Sequence, residues 1–199
     1  MTHIVIYDSY NKGIKKLFME NLMDKITYEN EVYYFNKGII YDSSFLETPK
    51  NISQQVLKKY YSQIDYEDFN EQKLLEYLKQ LKTSTFYEQC LKVINYGLNK
   101  FTTSVDFYRT VFPIITSCYR ALNQPQKAID FWMENKKIFT TCLSVPLLTS
   151  LAAAYCDVKD YALAKKCADK AYAIQGGGKN YQTELSLVYQ RIKKKTEDY

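Results

Sequence analysis

The chain has 199 residues, 46% hydrophobic and 25% charged, and a formal net charge of +5 from 27 basic and 22 acidic side chains. These are the proportions of a globular protein able to bury a core, not those of a disordered or fibrous chain. A single histidine, His3, and five cysteines without a C-x-x-C pair argue against a multi-histidine metal site, a zinc site and a disulfide framework.

Residues 1–70 read as a small mixed segment. Thr2–Tyr7, THIVIY, is a β-branched run that predicts a strand. Ile14, Leu17, Phe18, Leu22 and Met23 predict an amphipathic helix over Gly13–Lys25. Glu31–Tyr41, EVYYFNKGIIY, reads as two short strands around Asn36-Lys37-Gly38, with the glycine in the left-handed position of a hairpin. Short apolar runs like these are equally compatible with irregular or helical structure. Asp42–Ile52 carries Pro49 and several turn formers, and predicts a linker. Val56, Leu57 and Tyr60 share one face of a helix expected over Ser53–Ser62, and the domain boundary is placed near 68–70.

From residue 71 the pattern changes to paired helices. Leu74, Tyr77, Leu78 and Leu81 predict one helix, and Tyr87, Cys90 and Ile94 its partner. Phe112, Ile115, Thr116 and Tyr119, then Ala128 and Trp132, predict a second pair. Leu148, Leu151, Ala152 and Tyr155, then Tyr161, Ala164, Ala168 and Ala171, predict a third. In this last pair Asp157-Val158-Lys159-Asp160 supplies a turn and a helix N-cap. Tyr119 and Tyr155 are 36 residues apart, as are Ala128 and Ala164; the first pair is offset by 38. Cys90 occupies the place of Ala128 and Ala164, so it is expected to be a small core residue. Gly176-Gly177-Gly178 ends the third pair, and no P-loop spacing surrounds it. A final helix is expected over 180–195, with Tyr181, Leu185, Val188 and Ile192 inward. Gln190, Arg191 and Lys193–Lys195 then form a polar outer side. The lysine run reads as a solvated helix end, with an anionic contact as its alternative.

The spacing Leu148-x2-Leu151-Ala152-x2-Tyr155 followed by Ala164-x3-Ala168 resembles the tetratricopeptide repeat, over about residues 71–178. The resemblance implies a mainly α chain: an α-solenoid of about three helix-turn-helix repeats, capped by the final helix. An ordinary helical bundle is the alternative. It further implies a non-catalytic interaction module that holds a peptide or helix of another protein in a concave groove. Carried onto this chain, the family's groove positions are Leu75, Lys79 and Lys82; then Pro113, Ser117 and Arg120; then Thr149, Ala153, Cys156 and Asp157. An acidic or polar partner segment is expected near Lys79, Lys82 and Arg120. The lysine–asparagine set by which some members bind the C-terminal carboxylate of chaperones looks absent, because Leu75 and Lys79 stand at its first positions.

No catalytic motif and no cofactor signature occurs in the sequence, so no enzyme activity and no cofactor are expected. The chain also resembles, more weakly, the pentatricopeptide repeat, which implies single-stranded RNA as an alternative ligand. Twenty tyrosines could stack on bases, whereas arginine is scarce: only Arg109, Arg120 and Arg191 occur. The chain could also be one subunit of a larger complex, its N-terminal strands pairing with a neighbour. With no signal, transit or membrane-spanning pattern in the sequence, the expected location is cytoplasmic or nucleocytoplasmic.

Overall fold

The computed structural model describes residues 13, 23–36, 38–141, 143–176 and 183–196. The chain divides into two compact units: residues 1–68 with 83–85, and residues 69–82 with 86–199. The predicted strand Thr2–Tyr7 and most of the predicted helix Gly13–Lys25 lie outside the described residues.

The first unit contains a three-stranded antiparallel meander, β1 (Asp24–Tyr28), β2 (Glu31–Asn36) and β3 (Ile39–Tyr41). Asp24 and Lys25 therefore belong to a strand, not to the end of a helix. The physical reason is local: Ile26 alternates with polar neighbours and pairs with Tyr33, and both are buried on one face. Glu29 and Asn30 join β1 to β2, both with positive φ (49° and 66°), as a two-residue hairpin needs. The expected β2–β3 hairpin forms, and Gly38 takes φ 87°. The predicted linker is shorter than its composition suggests. Asp42 Oδ1 accepts from the Ser44 and Leu46 amides and pins the turn after β3. Helix α1 (Lys50–Ser62) then starts directly after Pro49, whose fixed φ suits a helix entry. Buried Val56, Leu57 and Tyr61 line the inner side of α1, and Phe35 packs on Tyr60 and Tyr61. The Tyr60 hydroxyl reaches back to Asp24 Oδ2 at 2.7 Å, joining the helix to β1.

The second unit is helical. The predicted pairs are α2 (Glu71–Thr83) with α3 (Tyr87–Lys100), α4 (Val105–Ala121) with α5 (Pro125–Glu134), and α7 (Val145–Asp157) with α8 (Tyr161–Ile174). A short unexpected helix, α6 (Lys136–Thr141), lies between the second and third pairs, and α9 (Thr183–Thr196) follows the last. The apolar positions read from the sequence are buried: Leu74, Tyr77, Leu78 and Leu81 in α2, Phe112 and Ile115 in α4, and Leu148, Leu151 and Ala152 in α7. Cys90, Ala128 and Ala164 are all buried at equivalent places.

All three pairs turn in the same way. Thr85, Asn123 and Lys159 take left-handed φ values of 67°, 57° and 64°. The next amide, of Phe86, Gln124 or Asp160, donates to the carbonyl of Leu81, Tyr119 or Tyr155, at 2.8–2.9 Å. This six-to-one bond is the Schellman closure of a helix C-terminus. After the third turn Asp160 caps α8 by accepting from the Leu163 amide, and Gly176, at φ 84°, ends that helix.

Helix α7 is the centre of the unit. It lies against α4, α5, α8 and α9, while α4 also touches α3 and α5. Leu147, Leu148, Thr149 and every residue from Leu151 to Cys156 are buried. The stripe Ala164, Ala168 and Ala171 lets α8 approach it closely, and one apolar cluster runs through α5, α7, α8 and α9.

Candidate functional site

A cavity of about 260 Å³ opens between α4, α7 and α9. Ser117 and Arg120 reach it from α4, Thr149, Ser150 and Ala153 from α7, and Glu184, Leu187, Val188 and Arg191 from α9. Helical spacing explains the selection. Thr149 and Ala153 are four apart on one face of α7, and Glu184, Leu187 and Arg191 are three and four apart along α9. Thr149, Ala153 and Val188 are buried, whereas Glu184 and Leu187 are exposed, so the former make the floor and the latter the rim.

One end of the cavity is held by a charge bridge. Arg120 Nε donates to Asp157 Oδ2 and Arg191 donates to Asp157 Oδ1, each at 2.5 Å. One carboxylate thus joins α4, α7 and α9. The Asp157 side chain is 26% exposed. Its partial burial alone would push its carboxyl up, but the two guanidinium hydrogen bonds and their charges outweigh that and hold it below the ordinary carboxylate range.

The floor carries a contrasting feature. Thr149 is 2% exposed, and its hydroxyl oxygen has no hydrogen-bond partner among the described residues. A buried hydroxyl left unpaired costs about 1–3 kcal/mol, and native structures rarely leave one so.

Four of the ten expected groove residues line this cavity: Ser117, Arg120, Thr149 and Ala153. Asp157 stands beside it as the bridge. Cys156 is turned into the apolar cluster, and burial pushes its thiol up, offset in part by Arg191 and Arg120. Pro113 is half-buried within α4, away from the lining. Leu75 and Lys82 are half-buried on α2 and Lys79 is exposed there; none of the three lines the cavity. The α9 contribution is absent from the expected set. The 36-residue spacing does not reach them: added to Thr149, Ala153 and Cys156 it gives Leu185, Tyr189 and Ile192, none of which lines the cavity.

Among the described residues no group of three or more His, Cys, Asp or Glu side chains could hold a metal ion. No described helix is long and apolar enough to cross a membrane. No protein-family model matches the chain, and no curated protein matches it.

Proposed function

We propose that the chain is a non-catalytic interaction subunit, a helical-repeat scaffold that holds a segment of a partner protein along α2, α4 and α7, with α9 closing one end. The observation that carries this reading is the cavity between α4, α7 and α9, which brings Ser117, Arg120, Thr149 and Ala153 of the expected groove face together. The repetition of one turn geometry at Thr85, Asn123 and Lys159 supports treating the pairs as tetratricopeptide-like repeats. Stacked repeats offer a continuous face made by the first helix of each pair, and Lys79 and Lys82 give the α2 end of that face a basic character suited to acidic residues of the segment.

Single-stranded RNA is the lesser reading. Two of the three arginines are spent on Asp157, which removes the best phosphate forks from this face. The test is a tagged co-purification from the native source, divided and treated or not with nuclease. Protein partners that survive nuclease, and are lost with Ala153→Arg filling the cavity, support the scaffold. Partners lost on nuclease, with RNA recovered from the untreated half, replace it with the RNA reading.

A further inference from the structure

We propose that the open edge of β1 takes an extended segment of a partner protein as an added strand, one that carries an acidic and an apolar side chain two positions apart. The site lies in the first unit and stands apart from the groove proposed in the second.

The two edges of the sheet differ. The outer edge of β3 is covered by the chain that follows it: Tyr41 bridges to Glu47, and the Thr48 amide donates to the Ile40 carbonyl at 3.0 Å. At the other end of the order β1-β2-β3, β1 has only β2 beside it among the described residues. The hairpin fixes which backbone groups of β1 are spent. Glu29 and Asn30 form a two-residue turn, so the flanking pair Tyr28–Glu31 exchanges both its hydrogen bonds, and in alternation so do Ile26–Tyr33 and Asp24–Phe35. Lys25 and Thr27 face the other way, and both are exposed. Their N–H and C=O groups point out of the sheet edge and repeat every two residues, about 6.8 Å. Among the described residues none of these four groups has a backbone partner. Another extended backbone meets all four at their own spacing.

Helix α1 supplies the selectivity. Residues paired across the sheet share a face, and Asp24, Ile26 and Phe35 lie on the α1 side: Phe35 packs on Tyr60, and the Tyr60 hydroxyl donates to Asp24. A cleft of about 510 Å³ runs between β1 and the end of α1, within the usual size of a ligand cleft. A strand added beside β1 turns every second side chain into it. There Lys59 and Ile64 form part of the far wall. Lys59 has no carboxylate partner among the described residues; its Nζ stands 6.0 Å from the centre of the Tyr28 ring. Asp24, the one acid in the lining, already accepts from Tyr60, and Lys25 with Lys59 leaves one cation over. An acidic side chain balances it. The half-buried Ile64 favours an apolar neighbour. Five residues of helical rise separate Lys59 from Ile64, about 7.5 Å, which matches two residues of strand.

The test uses the full chain and two blocked pentapeptides, Thr-Val-Thr-Asp-Thr and its reverse, titrated at pH 7 while backbone NMR resonances are followed. Each is compared with a counterpart carrying lysine in place of the aspartate. One of the two acidic peptides is expected to shift the Lys25 and Thr27 amides saturably, and to bind at least threefold more tightly than its lysine counterpart. Methylating every backbone nitrogen of that peptide should abolish binding. Lys59→Glu should reverse the charge preference, a gain for the lysine peptide that a damaged fold would not produce. Equal binding of acid and lysine peptides overturns the proposal, as does a preference untouched by Lys59→Glu, or binding that survives methylation. Silence of all the peptides overturns it too, and amide exchange at Lys25 and Thr27 then names the replacement. Protection independent of protein concentration means that the same chain covers the edge, protection that grows with concentration means a second copy, and fast exchange means an edge that takes no strand.

Discussion

Gly97 of α3 and Phe107 of α4 approach so closely that a Cβ on the glycine would stand 2.4 Å from the ring Cζ, and 2.8 Å from Leu74 Cδ2 of α2. Glycine is thus required inside a helix, where it otherwise costs about 1 kcal/mol relative to alanine. Both obstructing side chains are buried, so neither can swing away. Gly97→Ala is expected to destabilise the chain by about 1–3 kcal/mol, the range of overpacked cores. Urea unfolding gives the difference directly. A variant at least as stable as the parent would mean that the α2–α3–α4 contact is looser than described.

Removing the Thr149 hydroxyl has the opposite sign. Valine keeps the branched shape and discards an oxygen that has no hydrogen-bond partner among the described residues. Thr149→Val is expected to stabilise the free protein by about 1 kcal/mol, within the penalty for a buried unsatisfied group. A lowered melting temperature would show that the hydroxyl already has a partner, such as a bound water.

The Asp157 bridge predicts a pH dependence. A carboxyl held below its ordinary value of 3.8 contributes stability above that pH, and loses it as the pH falls through the lower folded value. Acid titration of the parent should therefore show a fall in stability beginning near pH 4. Asp157→Asn should reduce that slope and cost about 1–2 kcal/mol at pH 7, since two guanidiniums lose a shared acceptor. Asp169, lowered chiefly by its hydrogen bond from Lys165, keeps part of the slope in the variant. Identical acid profiles for variant and parent would rule the bridge out as the titrating feature.

The repeated turn makes a fourth stability prediction. Thr85 and Lys159 hold left-handed φ with side chains that disfavour it, threonine more strongly because it is β-branched. Both are exposed, so little packing is lost with the side chain. Thr85→Gly and Lys159→Gly are each expected to stabilise by about 0.5–1 kcal/mol. Asn123→Gly should change less, because asparagine tolerates that region. Calorimetric melting of the three variants ranks them, and a destabilised Thr85→Gly would contradict the shared turn.

Burial pushes the Cys167 thiol up to about 11, against the nearby charges of Lys170 and Lys166. At pH 8 roughly one molecule in a thousand then carries the thiolate, the reactive form. Alkylation at Cys167, read by mass spectrometry of its peptide, should be about a hundredfold slower in native protein than in urea. Equal rates would place that sulfur in solvent.

Much of this fold is legible in the sequence because each helix must bury one face. The three-and-four spacing of Leu74, Leu78 and Leu81, or of Ala164, Ala168 and Ala171, is the direct trace of that requirement. Gly38 and Asp160 are likewise legible, since each answers a local backbone need. What stays hidden depends on distance or brevity. Helix α6, KKIFTT, is too short to display a period. Strand β1 shows its nature only when Ile26 meets Tyr33. The partners of Asp157 lie 37 and 34 residues away, so no local rule selects them. Stacking of the helices brings them together, and the same stacking turns α9 from an outer cap into a wall of the cavity.

The burial of α7 along almost its whole length sets the order in which the second unit can come apart. Its neighbours can each lift away and leave the others partly packed, whereas its own departure would strip α4, α5, α8 and α9 at once. Amide protons from Leu148 to Ala154 should therefore exchange with solvent only when the whole unit opens, while those of α9 exchange through partial opening at its edge. A partner lying across α4, α7 and α9 would close that easier route. Its occupancy would be recorded as slowed exchange in the last helix, far more than in the one it touches at its centre.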